Sequence, residues 1–131
     1  MGWLSFIAVA GGAALGGLLR WGLGISLNPI FPTIPLGTLT ANVAGGFLMG
    51  IAVQVFTTHA SYSQELRLAL TTGFLGGFTT FSTFSAEVVD LILKRLYGWG
   101  LVLVGAHVVG SLVLTVVGLV IARLILGGGK T

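Results

Sequence analysis

The sequence has no cysteine, and only nine of its 131 residues are charged. Without cysteine there can be neither a disulfide nor a thiolate metal site. The shortage of charge is more telling. Charged residues make up 7% of the chain, against about 25% in an ordinary soluble domain, which uses them to cover its surface. Six basic and three acidic side chains cannot coat a 13.5 kDa globule in water. A soluble enzyme or a nucleic-acid binder is therefore disfavoured, and the scattered cations behind the net charge of +3 form no footprint for DNA or RNA. Proline occurs only three times. Apolar residues dominate instead: 55% of the chain is hydrophobic, 22 residues are glycine, and the mean hydropathy is +1.07.

The charges divide the chain into neutral tracts at 1–19, 21–64, 68–86 and 96–122. A spanning helix needs about 20 apolar residues, because a rise of about 1.5 Å per residue must cover roughly 30 Å of hydrocarbon. Pro29, Pro32 and Pro35 crowd into one connection and split the longest tract. The pattern predicts an all-α integral membrane protein, a single domain over 1–131 with four transmembrane helices at roughly 3–25, 37–56, 67–93 and 99–126. Trp3, Trp21 and Trp99 fall near expected ends, where indole favours the interface. Ser61 with Gln64 fits a capping box opening the third helix. Arg20, Lys94, Arg95 and Arg123 fall near helix ends, where cations complement the dipole and reach the headgroups. No basic region precedes the first apolar run, so a cleavable signal peptide is not expected. The tail Gly127–Thr131 looks like the end of a phosphate loop, but Leu124 holds the required first glycine position and no helix follows.

Four spans put Arg67, Arg123 and Lys130 on one side and Arg20, Lys94 and Arg95 on the other. Orientation normally follows an excess of Lys/Arg on the cytoplasmic side. Equal numbers leave almost no preference, so the chain is expected to insert both ways up and to pair as an antiparallel homodimer, related as inverted repeats are. Gly12/Gly16, Gly46/Gly50 and Gly73/Gly77 have the spacing that lets helix backbones approach in lipid, within one subunit or between two.

From Gly76 to Ser85 the third span contains two glycines, three phenylalanines, three threonines and two serines. None is a strong helix former. This composition predicts a helix broken mid-membrane, tolerated only where buried in protein or lining a watery cavity. A cation near the subunit boundary would satisfy the freed carbonyls. The alternative is an unbroken helix whose hydroxyls bond back to the preceding turn. Phe78, Phe81 and Phe84 recur every three residues, so a helix would place them on one face. Such a stripe commonly faces lipid or a neighbour, but aromatic ring edges are positive and can also line an anion's path. Thr80, Ser82, Thr83 and Ser85 interleave hydroxyl donors. Asn42 lies beside Thr38 and Thr40, and Ser111 and Thr115 are four apart on one helical face. Asp90 reads as interfacial and Glu87 as a vestibule or packing residue, while His107 reads as a neutral, hydrogen-bonded imidazole. The sequence shows no triad, metal-binding helix motif or paired carboxylates, and no enzyme activity is expected.

Gly37-Thr38-Leu39-Thr40-Ala41-Asn42, the run Gly73 to Ser85 with Glu87, Gly110-Ser111 and the early Gly16-Gly17-Leu18-Leu19-Arg20-Trp21 resemble the Fluc (CrcB) fluoride channels of bacteria. The likeness covers essentially the whole chain. It implies a dual-topology homodimer in the bacterial inner membrane, with two pores passing fluoride passively to lower its cytoplasmic level. By that resemblance Phe81 and Phe84 are the pore aromatics and Asn42 the main amide donor, with Ser111, Thr115, Thr38 and Thr83 along the ion pathway. Arg20 would lie near a pore mouth, and the backbone carbonyls of Gly76 and Thr79 from both subunits would hold a structural sodium ion. Leu103 stands where some members carry a tyrosine, which leaves one donor in question. Weakly binding neutral donors suit conduction of a dehydrated anion. The runner-up is a small dual-topology multidrug exporter of cations, but such exporters need an acid in the first helix and residues 1–25 contain none.

Overall fold

The structure, a computed structural model, describes residues 2–127. Lys130 and nearly all of the glycine-rich tail lie outside the described residues. The chain is built from helices: α1 (Trp3–Leu27), α2 (Leu36–Thr58), α3 (Gln64–Leu68), a π-helical stretch (Ala69–Leu75), α4 (Gly76–Phe78), α5 (Phe81–Leu93) and α6 (Tyr97–Leu126). A 3-10 turn at Asn28–Ile30 continues α1 into the proline connection. Three helical segments, Trp3–Ile30, Leu36–Thr58 and Tyr97–Leu126, are long and apolar enough to cross a membrane. Their outward side chains are apolar, with Leu15, Leu101, Leu112 and Ile125 all exposed. An inside-out distribution of this kind needs hydrocarbon rather than water around it.

Two details of the connections differ from the sequence reading. The helix after the second connection is capped by Ser63, whose hydroxyl accepts from the Leu66 N–H at 3.2 Å, and not by a Ser61–Gln64 box. Helix α3 starts two residues later than that box requires. Arg20 is not at a helix end, because α1 continues to Leu27. Lys94 does sit at the end of α5 and pairs with Asp90 at 2.6 Å, both exposed.

Glycine sets the packing. On α1, a Cβ at Gly16 would collide with the Phe74 carbonyl oxygen and lie 2.7 Å from the Phe78 nitrogen. On α2, a Cβ at Gly50 would collide with the Thr115 carbonyl oxygen and lie 2.8 Å from the Leu119 nitrogen. Helix α1 thus lies parallel to residues 69–78, and α2 lies parallel to α6, each pair in backbone contact. All three glycine pairs noted in the sequence make such contacts inside one protomer. Gly50→Ala should lower stability by about 1–3 kcal/mol, the usual cost of overpacking. A thermal melt of the detergent-solubilised protein measures this, and an unchanged melt would mean that the two helices separate without penalty.

The segment expected as a third span is not one helix. Thr71 Oγ1 donates back to the Arg67 carbonyl at 2.7 Å, and the following turns are π-wound. Helix α4 then ends at Thr79, which is extended (φ −88°, ψ 157°), as is Thr80 (φ −152°, ψ 112°). Helix α5 restarts with Thr80 as its N-cap, the Thr80 hydroxyl accepting from the Thr83 N–H at 3.1 Å. Two adjacent threonines serve here as the stop and the cap, in keeping with their local side-chain bonding. The interruption also separates the phenylalanines. Phe78 is buried and stacks on Phe74, whereas Phe81 and Phe84 lie beyond the break and pack edge to face at 5.5 Å. Helical spacing does not carry across extended backbone, so the three rings do not share a face.

Candidate ion pathway

Asn42 holds the break in place. Its Oδ1 accepts from the Thr80 N–H at 2.7 Å, and its Nδ2 donates to the Thr80 carbonyl at 2.9 Å. This two-point pairing fixes which amide atom is nitrogen. The same Nδ2 lies 3.0 Å from His107 Nδ1. An amide nitrogen has two hydrogens, and here two acceptors face it, Thr80 O and His107 Nδ1. His107 is therefore the neutral tautomer protonated at Nε2, since an N–H at Nδ1 would point at another donor. That Nε2 is buried and has no partner. His107 as a residue is only 4% exposed, and its ring lies 4.4 Å from the centroid of Phe84. An unpartnered buried donor costs free energy unless something accepts from it.

A cavity of about 480 Å³ runs along this site. It brings together Asn42, Phe81, Phe84, Ser111 and Thr115 of the residues expected on an ion path, and adds His107. His107, Ser111 and Thr115 are spaced i, i+4, i+8, one stripe of α6. Gly76 and Thr79 line the same cavity. Thr80 N–H, which would close a helical turn on the Gly76 carbonyl, is taken by Asn42, and Thr83 N–H, due to Thr79, is taken by Thr80 Oγ1. Both carbonyl oxygens are thereby freed, and Gly76 is exposed on the protomer.

Thr38, Thr83 and Arg20 are not on that wall. Thr38 lies one turn before Asn42 and donates to Glu87 Oε1 at 2.5 Å. Glu87 in turn faces a smaller cavity of about 180 Å³, with Asp90 and Lys94 at its mouth. Thr83 accepts from the Thr80 hydroxyl at 3.0 Å and belongs to the cap. Arg20 Nε donates to the Gly77 carbonyl at 3.0 Å. Several hydroxyls expected as donors bond back to their own helix: Ser85 to Phe81 O at 2.8 Å and Thr115 to Ser111 O at 2.7 Å. Leu103 is fully buried among Ile34, Phe84 and Leu91 and does not reach the cavity. The residue that the sequence reading undervalued is His107, although its spacing from Ser111 was visible.

From Thr38 to Asn42 on α2 and from His107 to Thr115 on α6, the polar line covers about 18 Å at about 1.5 Å per residue. Its members, Thr38, Asn42, His107, Ser111 and Thr115, are polar side chains without a carboxylate, lysine or arginine among them, and the described residues hold no cluster of three metal-binding side chains.

The family described as CrcB-like protein, Camphor Resistance (CrcB), matches residues 7–119. A protein of Nitrosospira multiformis named Fluoride-specific ion channel FluC is 50% identical over 123 residues, which is 94% of this chain and 96% of that one. A protein of the same name from Ralstonia nicotianae is 54% identical over 119 residues, 91% and 94% of the two chains. One from Nitrosomonas europaea is 49% identical over 117 residues, 89% and 92%. With a match over most of its length and relatives at half identity, this chain belongs to the CrcB family.

Proposed function

We propose that this protein is a fluoride channel of the bacterial inner membrane, letting fluoride leave the cytoplasm down its gradient. The observation that carries the reading is the buried, unpartnered Nε2 of His107, a residue that lines the same cavity as Phe81, Phe84 and Ser111. Fluoride is small and strongly hydrated, so its water must be replaced by closely placed donors. A buried N–H with no acceptor, a hydroxyl and the positive edges of two rings offer such replacement without a fixed cation that would trap the ion. Asn42 spends both amide hydrogens inside the protomer, so its part is to present His107 and hold the break. Thr38 and Glu87 would form the vestibule at one end, and Ser111 and Thr115 the other end of the track.

Two copies inserted oppositely are part of this reading. Phe81 is 77% exposed on the protomer although it borders the cavity. A second copy would cover it and close the open wall, giving two pores per dimer. The charges fit either orientation: Lys94 and Arg95 at one end are matched by Arg67 and Arg123 at the other, with Arg20 half-buried and bonded to the Gly77 carbonyl. The freed carbonyls of Gly76 and Thr79, an all-oxygen neutral donor set, fit a hard monovalent cation such as sodium shared between copies. When bound it would supply a fixed positive potential beside the pathway.

Fluoride-selective electrode recording on liposomes containing the purified protein tests the function. Rapid passive fluoride efflux that needs no proton gradient is expected. Absence of efflux together with robust proton-driven export of organic cations would replace the channel by an exporter, a reading that the acid-free first 25 residues already weaken.

A further inference from the structure

When a helix is interrupted, the carbonyls before the break lose their i+4 donors. At this break Gly76, Gly77, Phe78 and Thr79 are affected, since Thr80, Phe81, Ser82 and Thr83 lie beyond the helix end. The replacements are unequal. Gly77 O receives the Arg20 Nε–H at 3.0 Å, a donor 57 positions away in sequence. Gly76 and Thr79 line the cavity, whereas Gly77 and Phe78 do not. Arg20 reaches this point because α1 is held in backbone contact with residues 69–78. A Cβ at Gly12 would lie 2.8 Å from the Phe74 nitrogen, and one at Gly77 would lie 2.5 Å from the Ala13 carbonyl oxygen. Gly12, Gly16 and Arg20 are successive positions of one stripe at i, i+4, i+8, and the arginine completes a seam of small residues.

We infer that Arg20 is a positioning residue: by holding the Gly77 carbonyl it fixes the end of α4, so that the Gly76 and Thr79 carbonyls are left facing the cavity wall as a cation site. This inference rests on the cation reading above. It gives Arg20 a different role from a charge at a pore mouth, because the contact is a directed, part-buried Nε–H bond to the Gly77 backbone carbonyl. The guanidinium also suits the negative end of the half-helix. Charge and position predict opposite effects on sodium. As a bare like charge, Arg20 would repel the cation, and neutralising it would tighten sodium binding. As a positioning residue, its loss lets the end of α4 turn and weakens sodium binding.

The test uses full-length protein, Arg20→Lys and Arg20→Gln, with sodium itself as the probe. Two readouts are taken across a sodium series balanced with N-methylglucamine: the melting midpoint of the detergent-solubilised assembly, and fluoride efflux from liposomes. Wild-type protein should be protected by sodium, and both variants should need about tenfold more of it in both readouts, with efflux recovering at saturating sodium. Ethylguanidinium added to Arg20→Ala should lower that requirement again, while ethylammonium should not. An unchanged or reduced sodium requirement in Arg20→Gln overturns the inference. So does a variant that no sodium concentration assembles. If wild-type protein itself ignores sodium in both readouts, the cation reading fails first and this role falls with it; if wild type responds and the variants match it, only the role of Arg20 fails.

Discussion

Replacing Phe84 or Phe81 with isoleucine should cut fluoride efflux from reconstituted protein by about ten- to a hundredfold. Each ring offers an edge of positive potential to an anion that has shed water. Hydrogen bonds to charged groups are worth about 1.5–3 kcal/mol, an upper bound for a ring edge, and about 1.4 kcal/mol is a factor of ten in rate. Loss of one edge therefore carries about one to two factors of ten, and loss of the edge-to-face packing at 5.5 Å disturbs the second ring as well. The two substitutions differ in their side effects. Phe84 belongs to the core cluster with Ile34, Leu91 and Leu103, so isoleucine there also costs packing. Phe81 is exposed on the protomer and can be replaced without opening the protomer's core. Phe81→Ile is consequently the cleaner experiment: gel filtration should show the same assembly as wild type while the electrode trace goes nearly flat. Wild-type efflux in both variants would remove the rings from the pathway.

Much of this arrangement was legible because lipid makes composition informative. With nine charges in 131 residues, the long apolar runs leave few choices for where helices start and stop. The clustering of Gly, Thr and Ser from Gly76 to Ser85 marked the weak point in the third segment, and the interruption falls within it, at Thr79–Thr80. What the pattern hid is bonding that depends on three-dimensional partners. Asn42 looked like a free donor because nothing in one dimension places Thr80 and His107 on either side of it. Arg20 looked like a terminal cation because its partner, the Gly77 carbonyl, is 57 positions away and invisible in one dimension. Hydroxyls such as Ser85 and Thr115 counted as donors to a ligand until their own helix backbone claimed them. Leu103 drew attention as a missing tyrosine, yet the stripe that faces the cavity is one turn further on, at His107. Spacing of i, i+4, i+8 from Thr115 back through Ser111 was the signal for it.

Asn42→Ala should fail at assembly rather than merely slow conduction. Removing that amide strands three groups at once: the Thr80 N–H, the Thr80 carbonyl and His107 Nδ1. A polar group left unpaired costs about 1–3 kcal/mol when buried, as His107 is, and less at half-buried Thr80, so the loss is a large share of a domain's whole stability of about 5–15 kcal/mol. His107→Phe separates the two roles. It keeps an aromatic ring against Phe84 but deletes the Nε2–H, and it strands only one amide hydrogen of Asn42. That variant should assemble normally and lose about tenfold or more in fluoride efflux. Yield and elution volume from gel filtration, followed by electrode recording on whatever folds, measure both. If Asn42→Ala assembled as wild type and lost only its efflux, the amide would be contacting the ion itself, and the bonds to Thr80 would be incidental. If His107→Phe conducted normally, the orphaned nitrogen would lie off the path, and the donor ladder would have to run through Ser111 alone.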